Sequence, residues 1–295
     1  MSTSRDSIEG RPFLLFRGSA PKNVIVQRAL RHIVAICLLV VMLYPILWMA
    51  VASFHPGQLA LSGIGLNFSH LTLENYQQGL VSFHFSRYFL NSLAIALIEI
   101  VGTLLSCTLA AYAFARLEFR LKGFLFSILI GTLLLPNQVI IVPIYIIFNR
   151  LGLVGTYFPL ILPHFVGIDV FFIFLNVQFI RALPRELDSA GRIDGAGEFR
   201  IFFQIILPLC LPAVATTAMF EFINSWNDLL GPLLFLSRPE TFTAPLGLTQ
   251  FIDTTGASSF GGLFAMSTLS LVPVAAFFFA AQRLLVEGIT MTGFK

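Results

Sequence analysis

Residues 186–208 read ELDSAGRIDGAGEFRIFFQIILP, a charged segment set between two long apolar stretches. Glu186, Asp188, Arg192, Asp194, Glu198 and Arg200 crowd into it. Pro184 can open a helix at Arg185. Glu186 and Asp188 then fall in a first turn, where the helix dipole favours negative charge. Gly195 and Gly197 end that helix. The run from Phe199 to Leu207 is apolar enough to lie at a membrane interface before Pro208. The segment therefore reads as a short helix, a glycine turn and a second helix returning to the membrane. Leu187, Ala190, Gly191 and Ile193 give the first helix a narrow surface of mostly small residues. A lipid-bound amphipathic helix would set large apolar residues opposite Lys and Arg. Residues 186–195 do not, and their small side chains suit docking into a protein pocket.

The rest of the chain explains the setting. Of 295 residues, 57% are hydrophobic and 11% charged, against roughly 25% charged in soluble domains. A soluble fold could not cover so much apolar surface, so the chain is read as an all-α membrane protein. Six stretches reach the roughly 20 apolar residues that a membrane helix needs: 30–54, 87–115, 123–148, 157–180, 212–236 and 263–284. No β-barrel alternation is present. The reading assigns a tail over residues 1–29, a six-helix domain over 30–284 with a cytoplasmic loop at 181–211, and a C-terminal tail over 285–295. The first apolar run is longer than the roughly 7–15 residues of a signal-peptide core, and is taken as an uncleaved span. Pro45, Pro136, Pro143, Pro163 and Pro273 fall within spans and predict bends; Pro208 and Pro212 flank the entry to the fifth.

Lys and Arg set orientation. All 18 fall on one side except Arg87, Arg150 and Arg238. That asymmetry places both termini and the 181–211 loop in the cytoplasm and supports an even number of spans. Cys37, Cys107 and Cys210 lack metal spacing and are read as small buried hydrophobes. The five histidines show no ligand spacing, so no metal site is expected. Nothing in the sequence points to nucleic acid.

The 189–208 segment resembles the cytoplasmic loop of permease subunits in ATP-binding-cassette importers. That family's pattern is E-A-A, two residues, D-G, nine residues, I-x-L-P. Here it reads Ser189-Ala190-Gly191, Arg192-Ile193, Asp194-Gly195, nine residues, then Ile205-Ile206-Leu207-Pro208. The spacing is intact, with Ser189 in place of the first Glu and Gly191 in place of the second Ala. The likeness extends to the maltose-type, carbohydrate-importing permeases. Leu71-Thr72-Leu73-Glu74-Asn75-Tyr76 with Asn91-Ser92 is similar to their signature before the second span. Ala111-Tyr112-Ala113-Phe114-Ala115-Arg116, Leu135-Pro136, Pro143-Ile144-Tyr145, Ser225-Trp226-Asn227-Asp228, Gly288 and Gly293-Phe294-Lys295 follow in the family order.

The resemblance implies a type I importer permease that pairs with a second permease. It implies two cytoplasmic ATPase subunits, which hold ATP and Mg, and an extracytoplasmic solute-binding protein that delivers sugar. Glu186, Ser189, Ala190, Gly191, Arg192, Asp194, Gly195 and Ala196 would form the ATPase-docking helix. The chain has no G-x-x-x-x-G-K-[ST] loop, which fits a non-catalytic subunit.

Polar residues inside predicted spans mark a pathway or helix contacts. Glu99, Asn137, Gln138, Asp169, Asn176, Glu221, Asn224, Asn227 and Asp228 are such residues. Glu221, Asn224 and Asp228 are spaced to share a helical face, and Trp226 and Asn227 adjoin it. An aromatic face with amides and carboxylates suits a sugar, so these five, with Asn137 and Gln138, are the candidate pathway lining. Asp169 and Glu99 read better as structural pairs. Alternatives are an importer of a non-sugar solute such as a glycerol phosphate or polyamine, a stand-alone secondary transporter, or an intramembrane enzyme. The docking loop favours none of the last two.

Overall fold

In lipid, backbone groups find no water and must close their hydrogen bonds within the segment. All regular structure among the described residues is accordingly helical. The computed structural model describes the backbone of residues 22–56, 68, 69, 71–252 and 259–292. Residues 1–21 of the expected 1–29 tail, the ending Gly293-Phe294-Lys295 and the side chains of Asn137, Gln138 and Gly288 lie outside the described residues, and the rest of that tail is already helical from Lys22.

The helices are α1 (Lys22–Ala52), α2 (Glu74–Gln77), α3 (Phe85–Arg116), α4 (Lys122–Thr132), α5 (Asn137–Arg150), α6 (Phe158–Phe165), α7 (Val170–Ala182), α8 (Glu186–Ile193) and α9 (Glu198–Ile201). Then follow α10 (Leu207–Leu209), α11 (Leu211–Asn227), α12 (Leu230–Phe235), α13 (Ala244–Leu248) and α14 (Phe260–Thr292). The described residues up to Leu47 make one unit, in which the described side chains of α1 are exposed; those from Trp48 onward make the other.

Among the described residues, four stretches are long and apolar enough to cross a membrane singly: Val26–Ala52, Phe85–Arg116, Phe158–Ala182 and Phe260–Arg283. The pair Glu198–Leu209 and Leu211–Asn227 adds a fifth if its 78° bend is counted as a break within one span. The third expected span, 123–148, is instead two helices. Pro136 stands between them in an extended conformation (φ −65°, ψ 134°), and its ring offers no N–H to continue α4. The fourth is interrupted at 166–169, where Gly167 takes φ +75°. The fifth ends early because Asp228 turns extended (φ −68°, ψ 118°). The last helix outruns its expected end at 284 and continues to Thr292, so the 285–295 tail begins helical.

Packing is organised along α3. At its C-terminal end Cys107, Tyr112 and Ala115 meet Val177 and Ile180 of α7 and Ile201, Phe202 and Ile206 of the returning loop. Midway, Ala96 and Ile100 meet Phe222 and Trp226 of α11. At the N-terminal end Phe85 and Tyr88 meet Ala244, Phe251 and Met266. Cys107 and Cys210 are buried as the sequence suggests, but Cys37 is exposed on α1. No residue of α4 is buried; its apolar surface is of the kind that meets lipid or another subunit.

Candidate functional site

The charged segment folds as its local chemistry dictates. α8 ends in a two-bond glycine cap: Ala196 N donates to Gly191 O at 2.9 Å and Gly195 N to Arg192 O at 3.1 Å. The cap requires a left-handed residue, and Gly195 supplies it at φ +77°. The chain then returns through α9 and α10 and meets α11 at the 78° bend, beside Pro208 and Pro212.

Two polar clamps join this hairpin to the C-terminal end of α3. Arg116 Nη1 lies 3.3 Å from Asp188 Oδ2, with side chains only 3% and 5% exposed. Arg116 Nη2 also donates to Leu183 O at 2.8 Å. Tyr112 donates its hydroxyl proton to Glu198 Oε2 at 2.7 Å, and Arg192 Nε donates to Glu198 Oε1 at 3.0 Å. One carboxylate thus ties α3, α8 and α9 together. The sequence flagged Tyr112 and Arg116 only as members of a motif; the contacts give them their work.

The docking residues divide between two faces. Glu186, Ser189, Ala190, Arg192, Asp194 and Gly195 are exposed, and Ala196 is half-buried. Ile193 and Phe199 are exposed at 86% and 75%, large apolar groups on an otherwise polar loop. Gly191 corrects the expectation that it faces a partner. It is buried, and a Cβ on it would meet Ile205 Cδ1 at 3.0 Å and Ile201 Cγ1 at 3.1 Å. The small residue there serves the hairpin's own closure.

The candidate pathway residues also divide. Glu221 and Asn224 do not share an exposed face: Glu221 is 2% exposed while Asn224 is exposed. Trp226 is buried and structural. Its indole donates to Ser270 O at 3.1 Å, and its ring stacks on Phe222 at 5.7 Å. Asp228 leaves the helix and caps α12, accepting from Gly231 N at 3.1 Å. Asn227 is exposed and donates to Ile223 O at 2.8 Å. Asn224 and Asn227 therefore remain the exposed amides of α11. Burial, which decides this, cannot be read from spacing in a bundle whose helices break.

Asn176 is buried and donates to Thr217 at 2.9 Å, joining α7 to α11. Asp169 pairs with His164 at 2.8 Å. His164 in turn lies 3.1 Å from Glu221. Donor atoms of Glu99, His164 and Glu221 all fall within 4.8 Å of one another, a grouping able to hold a metal ion. Linear spacing gave no metal site because these side chains come from α3, α6 and α11.

The motif of residues 71–76 with Asn91-Ser92 forms a latch at the N-terminal end of α3. Asn75 donates to Ser53 O at 2.8 Å and His55 O at 2.7 Å. Asn91 donates to Glu240 O at 3.0 Å and Phe242 O at 2.9 Å, and the Ser92 hydroxyl accepts from Ala244 N at 2.7 Å. The motif thus fastens the 239–244 loop to α3.

Comparison with known proteins agrees with this architecture. The chain is 35% identical over 260 residues to the arabinooligosaccharides transport system permease protein AraQ of Halalkalibacterium halodurans, covering 85% of this chain and 91% of that one. It is 30% identical over 276 residues to the trehalose/maltose transport system permease protein MalG of Thermococcus litoralis, covering 93% and 99%. It shares its fold with a chain of a bacterial ABC transporter involved in import of the acidic polysaccharide alginate, with a TM-score of 0.77, 19% identity, and coverage of 90% and 98%. Residues 102–291 match the model of one family, and the chain accordingly belongs to the binding-protein-dependent transport system inner membrane components.

Proposed function

We propose that this chain is one of two permeases forming the sugar pathway of an ATP-binding-cassette importer. It spans the membrane six times with both termini in the cytoplasm, the broken stretches 123–148 and 212–236 each counting as one span. Two cytoplasmic ATPase subunits bind ATP and Mg, and one of them receives α8 and the exposed Ile193 and Phe199. An extracytoplasmic binding protein delivers the sugar. Asn224 and Asn227, with Asn137 and Gln138, line the pathway.

The observation that carries this reading is the hairpin itself. Its inner face is clamped to α3 through Asp188 and Glu198, while its outer face is free and apolar at the tip. A ligand shifts a two-state equilibrium only through differential affinity; a partner gripping α8 acts on α3 through those clamps. The sugar class is supported by relatives named for arabinooligosaccharide and trehalose/maltose transport.

Asp194 is exposed beside the cap. Asp194→Lys should leave insertion and folding intact, yet abolish ATP-driven uptake by the reconstituted transporter. Uptake at the unmodified rate would refute the docking role.

A further inference from the structure

The polar cluster around His164 takes no part in the proposed docking. It gathers Glu99 from α3, His164 from α6, Asp169 at the head of α7 and Glu221 from α11. His164 Nδ1 faces Asp169 Oδ2 at 2.8 Å and Glu221 Oε1 at 3.1 Å. One ring nitrogen carries at most one proton, so it cannot donate fully to both carboxylates. Thr103 Oγ1 adds a hydroxyl 3.3 Å from Asp169 Oδ2. Ser225 Oγ lies against Glu99 and is buried without a hydrogen bond of good geometry.

Charge makes the arrangement unusual. Glu99 and Glu221 are 5% and 2% exposed. Among the described residues no Lys or Arg is ion-paired with Glu99, Asp169 or Glu221. A single imidazole cannot balance three carboxylates, and unbalanced charge within a membrane is costly. Protons or a cation must make up the difference. The geometry favours the cation, because one ligand atom each from Glu99, His164 and Glu221 gathers within 4.8 Å of the others. Tetrahedral ligands at the bond lengths of about 2.0–2.1 Å usual for such metals stand about 3.3 Å apart. The two contacts at His164 Nδ1, 2.8 Å to Asp169 Oδ2 and 3.1 Å to Glu221 Oε1, lie within about half an ångström of that spacing.

We propose that Glu99, His164, Asp169 and Glu221 form an intramembrane site for a divalent transition-metal ion of the manganese-to-zinc series. Imidazole with carboxylates suits these ions better than calcium or magnesium, which prefer all-oxygen shells. Entry is from the His164–Asp169 side, where the two side chains are 21% and 25% exposed. Bound there, the ion staples α3, α6, α7 and α11 at one point, and stabilises only the conformation that holds all four together.

The test uses the full-length chain, free of any polyhistidine tag, chelator-stripped in lipid nanodiscs and titrated with Co2+ and Zn2+. The expected result is one equivalent retained after desalting, visible Co2+ absorption, and a metal-dependent rise in the unfolding midpoint. Glu99→Gln and Glu221→Gln keep the side-chain shape and should each weaken binding at least about tenfold. X-ray absorption on the unsubstituted chain guards against variants that misfold: it should report one imidazole in a nitrogen and oxygen shell. No retained metal, binding by both Gln variants as tight as the parent's, or a shell with sulfur or several imidazoles would overturn the proposal. The cluster would then be a set of acids sharing protons.

Discussion

Arg116→Ala isolates the clamp between the docking hairpin and α3. It leaves the Asp188 carboxylate buried without the one ion-pair partner it has among the described residues, since that side chain is 5% exposed and Arg116 is the cation at 3.3 Å. It also removes the donor to Leu183 O at 2.8 Å. Breaking a buried pair from one side costs about 3–5 kcal/mol, most of it the stranded charge. Asp188 makes no further hydrogen bond through either carboxylate oxygen, so nothing inside the chain offsets that loss. Arg116→Leu combined with Asp188→Leu removes both charges and should recover most of the stability, because an apolar replacement of both partners is often neutral. The double variant is the informative one. It would insert and resist heating almost as the parent does, but ATP hydrolysis and uptake would lose their fixed ratio. The assay is a thermal-unfolding series on detergent-extracted transporter, with uptake and hydrolysis measured on the same vesicles. If Arg116→Ala melts with the parent and keeps its ratio of sugar to ATP, the clamp does not transmit force.

Two glycines of the hairpin separate backbone from packing. Gly195→Ala meets nothing within 4 Å, so its cost is the left-handed backbone alone, about 1–2 kcal/mol, read as a lower unfolding midpoint. Gly191→Ala gains about 1 kcal/mol of helix propensity but crowds Ile205 Cδ1; that flexible tip can yield, and the measured change should be within about 1 kcal/mol of zero, whereas Gly191→Leu should prevent the hairpin from closing. Trp226→Ala should cost about 3–5 kcal/mol through lost stacking on Phe222 and the lost bond to Ser270; a stable variant with altered sugar preference would return Trp226 to the pathway. Asn227→Ala, on an exposed amide, should change the sugar dependence of uptake with little effect on the unfolding midpoint.

Hydropathy and charge found the apolar stretches and the loop between them, because both depend on composition over tens of residues. They missed the interruptions, which are local. Pro136 was read as a bend, but an extended proline with no N–H stops a helix outright when the next one can restart at Asn137. The turn at Gly195 was legible because a helix end with an Asp-Gly pair leaves few backbone solutions. The inward face of Gly191 was not, because it depends on Ile201 and Ile205 folding back across α8. The same limit hid the acid and histidine cluster. Glu99, His164 and Glu221 lie on separate helices, and neither composition nor period brings them together. Asn91 and Ser92 were noticed as a motif, but their partners at 240–244 could only come from the fold.

These contacts share one element. α3 carries Arg116 and Tyr112 at its C-terminal end, Glu99 and Thr103 midway, and Asn91 and Ser92 near its N-terminal end. It is a single helix from Phe85 to Arg116 without an internal proline, while the neighbours α4 and α5, α6 and α7, and α11 and α12 are all broken pairs. An unbroken helix resists bending better than a hinged one, since every backbone bond along it must yield together. In the proposed importer, a displacement imposed on α8 therefore reaches the latch through α3 as a rigid rotation, and the broken neighbours absorb the strain. Introducing a proline at Val101, one of the apolar groups exposed on α3, would turn the rod into a hinge. Hydrolysis by the ATPase partners should survive that change and uptake should fail; uptake at the parent rate would mean that force takes another route.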